Sequence, residues 1–219
     1  MIDWWGPVVG EYYGGTETGI LTFLTAEEAA RKPGTVGRPL TGVTLRIYDE
    51  DGRELAPGAI GEVYGVLEGA ADFTYHGLPA QRREIERDGL VTLGDVGYLD
   101  EDGYLFLCDR KRDMVISGGV NIYPAEIEAA LLALPGVRDC AVFGIPDEEF
   151  GETLCACIEA EAGAALSAAE VQAFLGQRLA GFKVPRTIRF EPALPREDSG
   201  KIIKRRLRDP YWTAVGRRI

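Results

Sequence analysis

The stretch DRKRDMVISGGVNIYPAEIE, residues 109–128, divides this chain of 219 residues into two parts of different character. Its first five residues are all charged, and no Gly/Ser-rich linker lies beside them. Such a segment predicts a short hinge, so we place a domain boundary between residues 108 and 109. The paired glycines Gly118 and Gly119 suit either a bulge or a narrow passage for a ligand. Pro124 is placed to begin a helix.

The part before this stretch has the signals of a small antiparallel β unit. Val43–Tyr48 alternates between apolar and polar residues and ends at the turn Glu50-Asp51-Gly52. Residues 60–67 predict a second strand. Residues 97–107 predict a hairpin in which Gly103 supplies the positive φ. We therefore expect strands to dominate residues 1–108.

The part after the boundary alternates helix and strand signals. Helices are predicted over residues 125–134, from the capping box Ser167-Ala168-Ala169-Glu170 to about residue 179, and over residues 202–208. Strands are predicted over residues 139–145, 153–158 and 186–190. A mixture of this kind is typical of a compact α+β domain. The expected fold class is thus α+β: a small β-rich part, 1–108, followed by a compact α+β domain, 109–219.

Composition excludes several classes of protein. The chain is 46% apolar and 27% charged, which is typical of a globular protein, and no apolar run has the length of a membrane span. The N-terminus does not read as a signal peptide, and the four cysteines have no metal-ligand spacing. We therefore expect a reduced, cytoplasmic protein without structural zinc. Cys155 and Cys157 would share one face of a strand as small core residues.

The charge is unevenly distributed. The net charge is −11, yet residues 183–219 carry eleven Lys and Arg against four Asp and Glu. Residues 1–182 carry thirteen Lys and Arg against thirty-one Asp and Glu. An excess of negative charge of this size argues against nucleic-acid binding. The basic end is either a solvated surface or a site for an anion.

Four segments contain residues suited to nucleotide chemistry, and each also has a plain structural interpretation. Residues 12–19, YYGGTETG, combine glycines that admit a ligand with a hydroxyl for phosphate and a carboxylate for Mg²⁺. Asp95, between Gly94 and Val96-Gly97, could accept the hydroxyls of a ribose, or could cap a turn. The third segment is 109–121. The fourth, residues 195–206, places Gly200 before Lys201 near a helix start.

Together and in this order, the four segments resemble the acyl-adenylate-forming (AMP-binding) superfamily, and most of all its acyl-CoA synthetases, the fatty-acid–CoA ligases. The resemblance extends from about Trp4 to Trp212 and is most specific over residues 110–128. Members make a thioester in two steps: ATP and a carboxylate give an acyl-adenylate and pyrophosphate, and the CoA thiol then attacks the adenylate. The resemblance therefore implies an acid–thiol ligase that uses ATP, Mg²⁺, CoA and a small carboxylic acid.

The resemblance also implies roles for individual residues. Those expected at ATP or AMP are Tyr13 against adenine, Gly14 beside it, Thr16 at phosphate, Glu17 at Mg²⁺, Asp95 at the ribose, and Arg110 holding Asp95. Lys201 corresponds to the catalytic lysine and acts together with Thr16 and Glu17. Arg112 falls at the family's hinge, where Asp or Lys is more usual. Those expected at CoA are Gly118, Gly119, Phe182 and Arg186.

The largest departure from the family is an absence. The loop that grips the ATP phosphates, and most of the acyl pocket, have no counterpart in the sequence. Residues 1–108 would then be the end of the large domain and residues 109–219 the whole mobile domain. Apolar surface around Trp4, Trp5 and Tyr12 would be exposed, which predicts self-association. The acyl chain length is not determined.

Two other functions remain open at this point. One is a fragment that binds adenylate, CoA or a protein partner without turnover. The other is an adenylation enzyme that loads a carrier protein, although the segment Phe182-Lys183-Val184-Pro185-Arg186 favours CoA. The aromatic stretch 72–76 is assigned to the β unit and given no role in the site.

Overall fold

The computed structural model describes residues 2–217, without the side chains of Ile2 and Pro79. The chain forms two compact units, Met1–Arg112 and Asp113–Ile219. The division lies four residues after the boundary expected from the charged segment.

The first unit consists mainly of antiparallel strands. Its elements are α1 (Ile2–Trp5), β1 (Glu11–Gly15), β2 (Gly19–Leu24), α2 (Ala26–Arg31), β3 (Arg38–Pro39), β4 (Val43–Tyr48), β5 (Gly61–Leu67), α3 (Pro79–Glu84), β6 (Glu86–Arg87), β7 (Leu90–Leu99) and β8 (Leu105–Arg110). One sheet has the order β1-β2-β3. The other has the order β4-β5-β7-β6, and β8 pairs with β7. Strand β4 has the predicted bounds.

The β7–β8 hairpin confirms the predicted turn and determines where the site residues lie. Gly103 has φ +79°, and the Asp100 carboxylate accepts hydrogen bonds from the amides of Asp102 and Tyr104. This closed turn fixes the register of the two strands, which places Asp95 opposite Arg110.

Residues 72–76 lie in the first unit, as expected, in the loop between β5 and α3 and in neither sheet. The Arg82 guanidinium lies 4.6 Å from the Phe73 ring centroid, and the Phe73 and Tyr75 rings meet edge to face. These contacts give the loop a local structure that does not need strand pairing.

The second unit is a five-stranded sheet with helices on both faces. A 3₁₀ turn, Lys111–Asp113, leads from β8 to β9 (Val115–Ser117), which is followed by β10 (Val120–Ile122), α4 (Pro124–Leu132), β11 (Val137–Asp147), β12 (Gly151–Ala160), α5 (Ala168–Gly176), a 3₁₀ turn (Gly181–Lys183), β13 (Thr187–Glu191) and α6 (Lys204–Ala214). The strand order is β10-β9-β12-β11, and β13 pairs in parallel with β12. The α+β class is confirmed.

Two apolar clusters cover the two faces of this sheet. Ile127 and Leu131 of α4 and Leu175 of α5 pack on one face, and all three are fully buried. On the other face, Cys155 and Cys157 are buried under Leu207 and Tyr211 of α6. The prediction that the two cysteines are core residues on one face is confirmed, and none of the four cysteines forms a disulfide.

Local signals explain the starts of the helices better than their ends. The capping box is formed, since Ser167 Oγ accepts from the Glu170 amide at 3.3 Å and the Glu170 carboxylate accepts from the Ser167 amide at 2.9 Å. Helix α5 ends at Gly176, before the predicted residue 179. Helix α6 begins at Lys204 and continues through Pro210 to Ala214, beyond the predicted end at 208. Within the described residues, no helix is long and apolar enough to cross a membrane.

Leu131→Ala is expected to lower the free energy of unfolding of the second unit by about 2–5 kcal/mol, because it leaves a cavity among fully buried side chains. Leu132→Ala is the matched control, since this neighbouring side chain is 52% exposed, and we expect it to cost less than about 1 kcal/mol. Urea unfolding followed by circular dichroism measures both. Equal losses would mean that α4 packs by a different face.

Candidate functional site

Asp95 is the centre of a polar network in the first unit. Arg110 Nε lies 2.8 Å from Asp95 Oδ1, and the Tyr13 hydroxyl donates to Oδ2 at 2.8 Å. The Asp95 side chain is only 9% exposed, so the ion pair replaces hydration that burial removes. A carboxylate has about four acceptor positions, and the two contacts leave one on each oxygen. These two contacts therefore use only two of the roughly four acceptor positions of Asp95.

The same network fixes the protonation state of Tyr13. Burial, followed by the neighbouring Asp95 charge, raises the pKa of the Tyr13 phenol far above its ordinary value. The ring packs against the cluster of Ile47, Val63 and Leu105. The raised pKa keeps the Tyr13 phenol protonated at neutral pH as the donor to Asp95, and its ring is held by the apolar cluster.

This shift predicts how stability depends on pH. The unfolded chain ionises Tyr13 near pH 10, whereas the folded chain keeps the proton, so the Tyr13 contribution is complete below about pH 10 and is lost as pH rises further. We expect Tyr13→Phe to show a shallower loss of unfolding free energy between pH 9 and about pH 11. Urea titrations across that range measure it, with Tyr12→Phe, an exposed neighbour, as control. Identical pH slopes in all three proteins would contradict the interpretation.

The β1–β2 turn contributes the glycine-rich segment. A side chain at Gly14 would place its Cβ 2.0 Å from the Gly19 carbonyl oxygen, so the bulge itself requires glycine there. Thr18 Oγ1 accepts from the Gly15 amide at 3.1 Å and donates to the Gly19 carbonyl, which closes the turn. Thr16 is exposed at its tip and Glu17 is half-buried.

A cleft of about 430 Å³ joins this turn to the Asp95 strand. The predicted residues Gly14, Thr16, Glu17 and Arg110 line it together with Gly94, whereas Asp95 and Tyr13 are not among its lining residues. Thr92 and Leu93, directly before Gly94, also form part of its wall. Thr92 Oγ1 accepts from the Gly94 amide at 2.9 Å, so it shapes the turn that leads into Asp95.

Several residues that line the cleft were not predicted from the sequence, among them Tyr75, Glu62 and Glu84. The Tyr75 hydroxyl donates to Glu17 at 2.8 Å, and Glu62 forms an ion pair with Lys111 at 2.7 Å. Tyr75 belongs to the aromatic stretch that was set aside. Its contact joins residues 58 positions apart, and no local spacing indicates it.

The cleft has donors that suit a hard cation. Glu17, Glu62 and Glu84 all line it, and carboxylate oxygens are the ligands that Mg²⁺ prefers. Among the described residues, no three metal-binding side chains gather closely enough to hold an ion by themselves. An Mg²⁺ ion at this cleft would need oxygens from water and from a ligand in addition to Glu17, its predicted protein contact.

Lys201 lies in the second unit, on a loop that we call the lysine hairpin, residues 194–203. Arg196 and Ile202 form a β-bridge, and the Glu197 amide donates to the Lys201 carbonyl at 2.9 Å. The Gly200 amide donates to the Glu197 carbonyl, and Gly200 has φ +88°. The Lys201 side chain is exposed, so its amine is accessible to a ligand.

The residues predicted at CoA are also in the second unit. Gly118 and Gly119 form a two-residue turn between β9 and β10, with φ +58° and +81°, so they form a hairpin and not a bulge. The Gly118 amide donates to the Phe150 carbonyl at 2.9 Å, and the Arg186 guanidinium lies 4.8 Å from the Phe150 ring centroid. Gly118 and Arg186 thus both contact Phe150. Phe182, on the preceding 3₁₀ turn, is 56% exposed.

Arg112, predicted as the hinge, is the last residue of the first unit. It is exposed and belongs to the 3₁₀ turn Lys111–Asp113, where the division between the units falls.

Two family models match the chain. Residues 1–68 match the AMP-binding enzyme model, and residues 126–201 match the AMP-binding enzyme C-terminal domain model. The first match includes the Tyr13–Glu17 turn, and the second ends at Lys201.

Curated relatives and solved structures agree with these matches. The chain is 42% identical over 95% of its length to the fatty acid–[acyl-carrier-protein] ligase ScoC of Streptomyces coeruleorubidus. It is 37% identical over 89% of its length to the long-chain-fatty-acid–CoA ligase FadD13 of Mycobacterium tuberculosis. ATP-bound MatB from Rhodopseudomonas palustris superposes with a TM-score of 0.82 at 39% identity, over 93% of this chain.

These relatives are longer than the chain. It spans 41% of ScoC, 38% of FadD13 and 40% of the MatB chain. The o-succinylbenzoate CoA synthetase MenE from Bacillus subtilis, solved with the acyl-adenylate OSB-AMP, gives a similar share of 41%, with a TM-score of 0.81 at 33% identity over 92% of this chain.

Proposed function

Because the chain belongs to the AMP-binding enzyme family and matches the models of both of its parts, we propose that it is the C-terminal portion of a carboxylate–CoA ligase. The proposed reaction joins a fatty acid to CoA through an acyl-adenylate. Residues 1–108 would form the end of the large domain and residues 109–219 the mobile domain.

The arrangement of Asp95 is the observation that carries this proposal. Its buried carboxylate is held by Tyr13 and Arg110 and retains two acceptor positions, which suit the two hydroxyls of a ribose. Tyr13 would lie against adenine. The cleft beside it contains Gly14, Thr16 and Glu17, so a nucleoside bound at Asp95 would extend its phosphates along the turn.

In the first proposed step, a carboxylate oxygen of the acid attacks the α-phosphorus of ATP. The bond from that phosphorus to the bridging oxygen breaks, and pyrophosphate leaves with the electron pair. Thr16 would donate its hydroxyl to a phosphate oxygen, and Glu17 would hold Mg²⁺. The bound cation would neutralise charge on the phosphates. Lys201 would place its ammonium at the α-phosphate, where negative charge accumulates in the transition state.

In the second proposed step, the CoA thiol attacks the acyl carbonyl, loses its proton, and displaces AMP. Gly118 and Gly119 would line the passage for the pantetheine arm, because a turn of two glycines presents no side chains. Phe182 and Arg186 would bind the CoA nucleotide, with Arg186 at a phosphate. A change in the backbone torsions at Arg112 would rotate the mobile domain from the arrangement used in the first step to the one used in the second.

We propose further that the grip on the ATP phosphates comes from residues outside this chain. The sequence contains no glycine/serine/threonine-rich loop ending in Pro-Lys. The chain would then hold the nucleoside contacts and the catalytic lysine, and thus one half of the site.

The carrier-loading alternative is a second candidate because of one observation: ScoC, at 42% identity, is a ligase for an acyl-carrier protein. In that case the same adenylate would pass to a protein-bound phosphopantetheine. A third candidate, adenylate binding without turnover, agrees with the share of the relatives' length that the chain spans.

The acceptor distinguishes the first two candidates. An enzyme containing this chain should convert fatty acid, ATP and CoA to acyl-CoA, AMP and pyrophosphate. Chromatography of the products detects all three. Acylation of a holo carrier protein without any reaction of free CoA would support the carrier-loading function instead of the CoA ligase. If neither acceptor were acylated, the third candidate, adenylate binding without turnover, would be supported.

Self-association is expected of the chain alone. Trp4, Trp5 and Tyr12 are 78%, 57% and 67% exposed, and the two indole rings stack on each other. Apolar surface of this kind promotes association. We expect the weight-average mass to rise with concentration in sedimentation equilibrium, and to rise less in a Trp4→Ser/Trp5→Ser variant. A monomer of constant mass up to millimolar concentration would contradict the expectation.

A further inference from the structure

The side chain of Arg196 joins the tip of the lysine hairpin to the sheet of the second unit. Its Nη1 donates to the Gly200 carbonyl at 3.1 Å, directly before Lys201. Its Nη2 donates to Asp139 Oδ2 at 2.7 Å and lies 3.4 Å from Glu159 Oε2. Asp139 is on β11 and Glu159 on β12, so the guanidinium bridges two strands and the tip of the hairpin.

The base of the hairpin has separate anchors. Leu194 is 4% exposed, and Ile202 packs with it against Phe143 and Cys155. The Leu194 amide donates to Glu159 at 3.0 Å. These contacts hold residues 194 and 202 but touch neither Gly200 nor the Lys201 side chain.

Glu159 provides a stable acceptor for this bridge. Its residue is only 4% exposed, and the pKa of its carboxyl is held below the ordinary value, first by the Leu194 amide and then by the charges of Arg138 and Arg196. It therefore stays ionised at neutral pH. Arg138 lies 3.0 Å from the other carboxylate oxygen, so Glu159 retains one cationic partner when Arg196 is removed.

We propose that Arg196 is a positioning residue for Lys201, which orders the tip of the lysine hairpin by tying the Gly200 carbonyl to Asp139 and Glu159. This role rests on the proposed function of Lys201. A cation contributes most to a transition state when it is already in place, and an exposed loop tip loses order when its tie is cut. The planar guanidinium can serve three acceptors at once, which an ammonium at the end of a flexible stem does less well.

Amide hydrogen exchange on this chain tests the ordering directly. In Arg196→Ala, the amides of Glu197 and Gly200 should exchange at least tenfold faster, while those in the middle of β11 and β12 keep their protection. Arg138→Ala is the matched control: it removes the other guanidinium from Glu159 without touching Gly200, and should change the hairpin amides less than twofold. Unchanged exchange in Arg196→Ala, or an equal increase in both variants, would overturn the proposal.

Arg196→Lys keeps the charge and provides a second variant if the alanine protein does not fold. We expect intermediate exchange rates. In an enzyme containing this chain, we expect its kcat for acyl-adenylate formation to fall at least fivefold, with the KM for ATP and the rate of thioester formation from supplied acyl-adenylate unchanged. Equal losses in both half-reactions would reduce Arg196 to a structural role. If the enzyme without any substitution formed no acyl-adenylate, the proposed function would be wrong. The amide exchange rates would still decide whether Arg196 orders the hairpin.

Discussion

Lys201→Ala is expected to lower the rate of acyl-adenylate formation by about 100- to 1,000-fold and to spare thioester formation from supplied acyl-adenylate. Lys201 is exposed at the tip of a hairpin in which Glu197 bonds to its carbonyl and Gly200 precedes it. This backbone holds the residue while leaving the amine accessible. The charge that the amine would neutralise develops only when the acid attacks the α-phosphate.

The two half-reactions are measured separately in an enzyme that contains this chain. Pyrophosphate release reports the first, and acyl-CoA formed from synthetic acyl-adenylate reports the second. Arg205→Ala is the control, because it removes a positive charge from an exposed residue of α6 four positions away. Equal loss of both half-reactions in Lys201→Ala would exclude the proposed division of labour.

Asp95→Ala is expected to weaken the binding of a non-reactive acyl-adenylate analogue by about 100-fold or more. Hydrogen bonds to a charged group contribute about 1.5–3 kcal/mol each, and a factor of ten corresponds to about 1.4 kcal/mol. Two lost ribose contacts therefore account for about two to four decades. The substitution also leaves the Tyr13 hydroxyl and Arg110 without their acceptor, so the first unit should lose stability as well.

Asp95→Asn separates affinity from stability, because the amide preserves the shape and one acceptor oxygen. Calorimetric titration gives the affinity and urea unfolding gives the stability. Glu101→Gln changes the charge equally at an exposed turn of the same hairpin and should leave both at their original values. If the Asp95→Asn protein kept full stability and full affinity, Asp95 would not be part of the nucleoside site.

Sequence reasoning succeeded where a local signal and the tertiary structure agree. Strand β4 alternates, and the β7–β8 turn has a glycine at its positive φ, so both were predicted. Strand β7 was predicted only over its last residues. Its ten residues include buried ones in both halves, among them Leu90, Val91 and Val96, so it does not alternate simply, and Gly94 interrupts it.

Helix α6 shows packing overriding a local signal. Pro210 lacks the amide that would continue the helix, which favours an earlier end. The helix continues because Trp212 beyond it is only 5% exposed and donates its indole N–H to the Gly144 carbonyl at 3.0 Å. That contact joins residues 68 positions apart, and the sequence near Pro210 does not indicate it.

The candidate site shows the same limit. Motif order identified Tyr13, Asp95 and Arg110; the β7–β8 register pairs Asp95 with Arg110, and a side-chain hydrogen bond joins Tyr13 of β1 to Asp95. The Tyr75 hydroxyl on Glu17, and the Arg196 guanidinium on Asp139 and Glu159, are contacts between residues far apart in the sequence that only the fold creates. Motifs thus indicated the residues proposed to touch substrate, and Arg110 that holds Asp95, but not the supporting contacts of Tyr75 and Arg196.

We propose above that these 219 residues hold one half of an adenylate-forming site. The decisive measurement is ATP–pyrophosphate exchange by the isolated 219-residue chain, with a panel of fatty and aromatic acids. We predict no exchange with any acid, while the same folded sample binds the acyl-adenylate analogue through Asp95. Acid-dependent exchange by this chain alone would contradict the account, because the chain would then grip the ATP phosphates with its own residues.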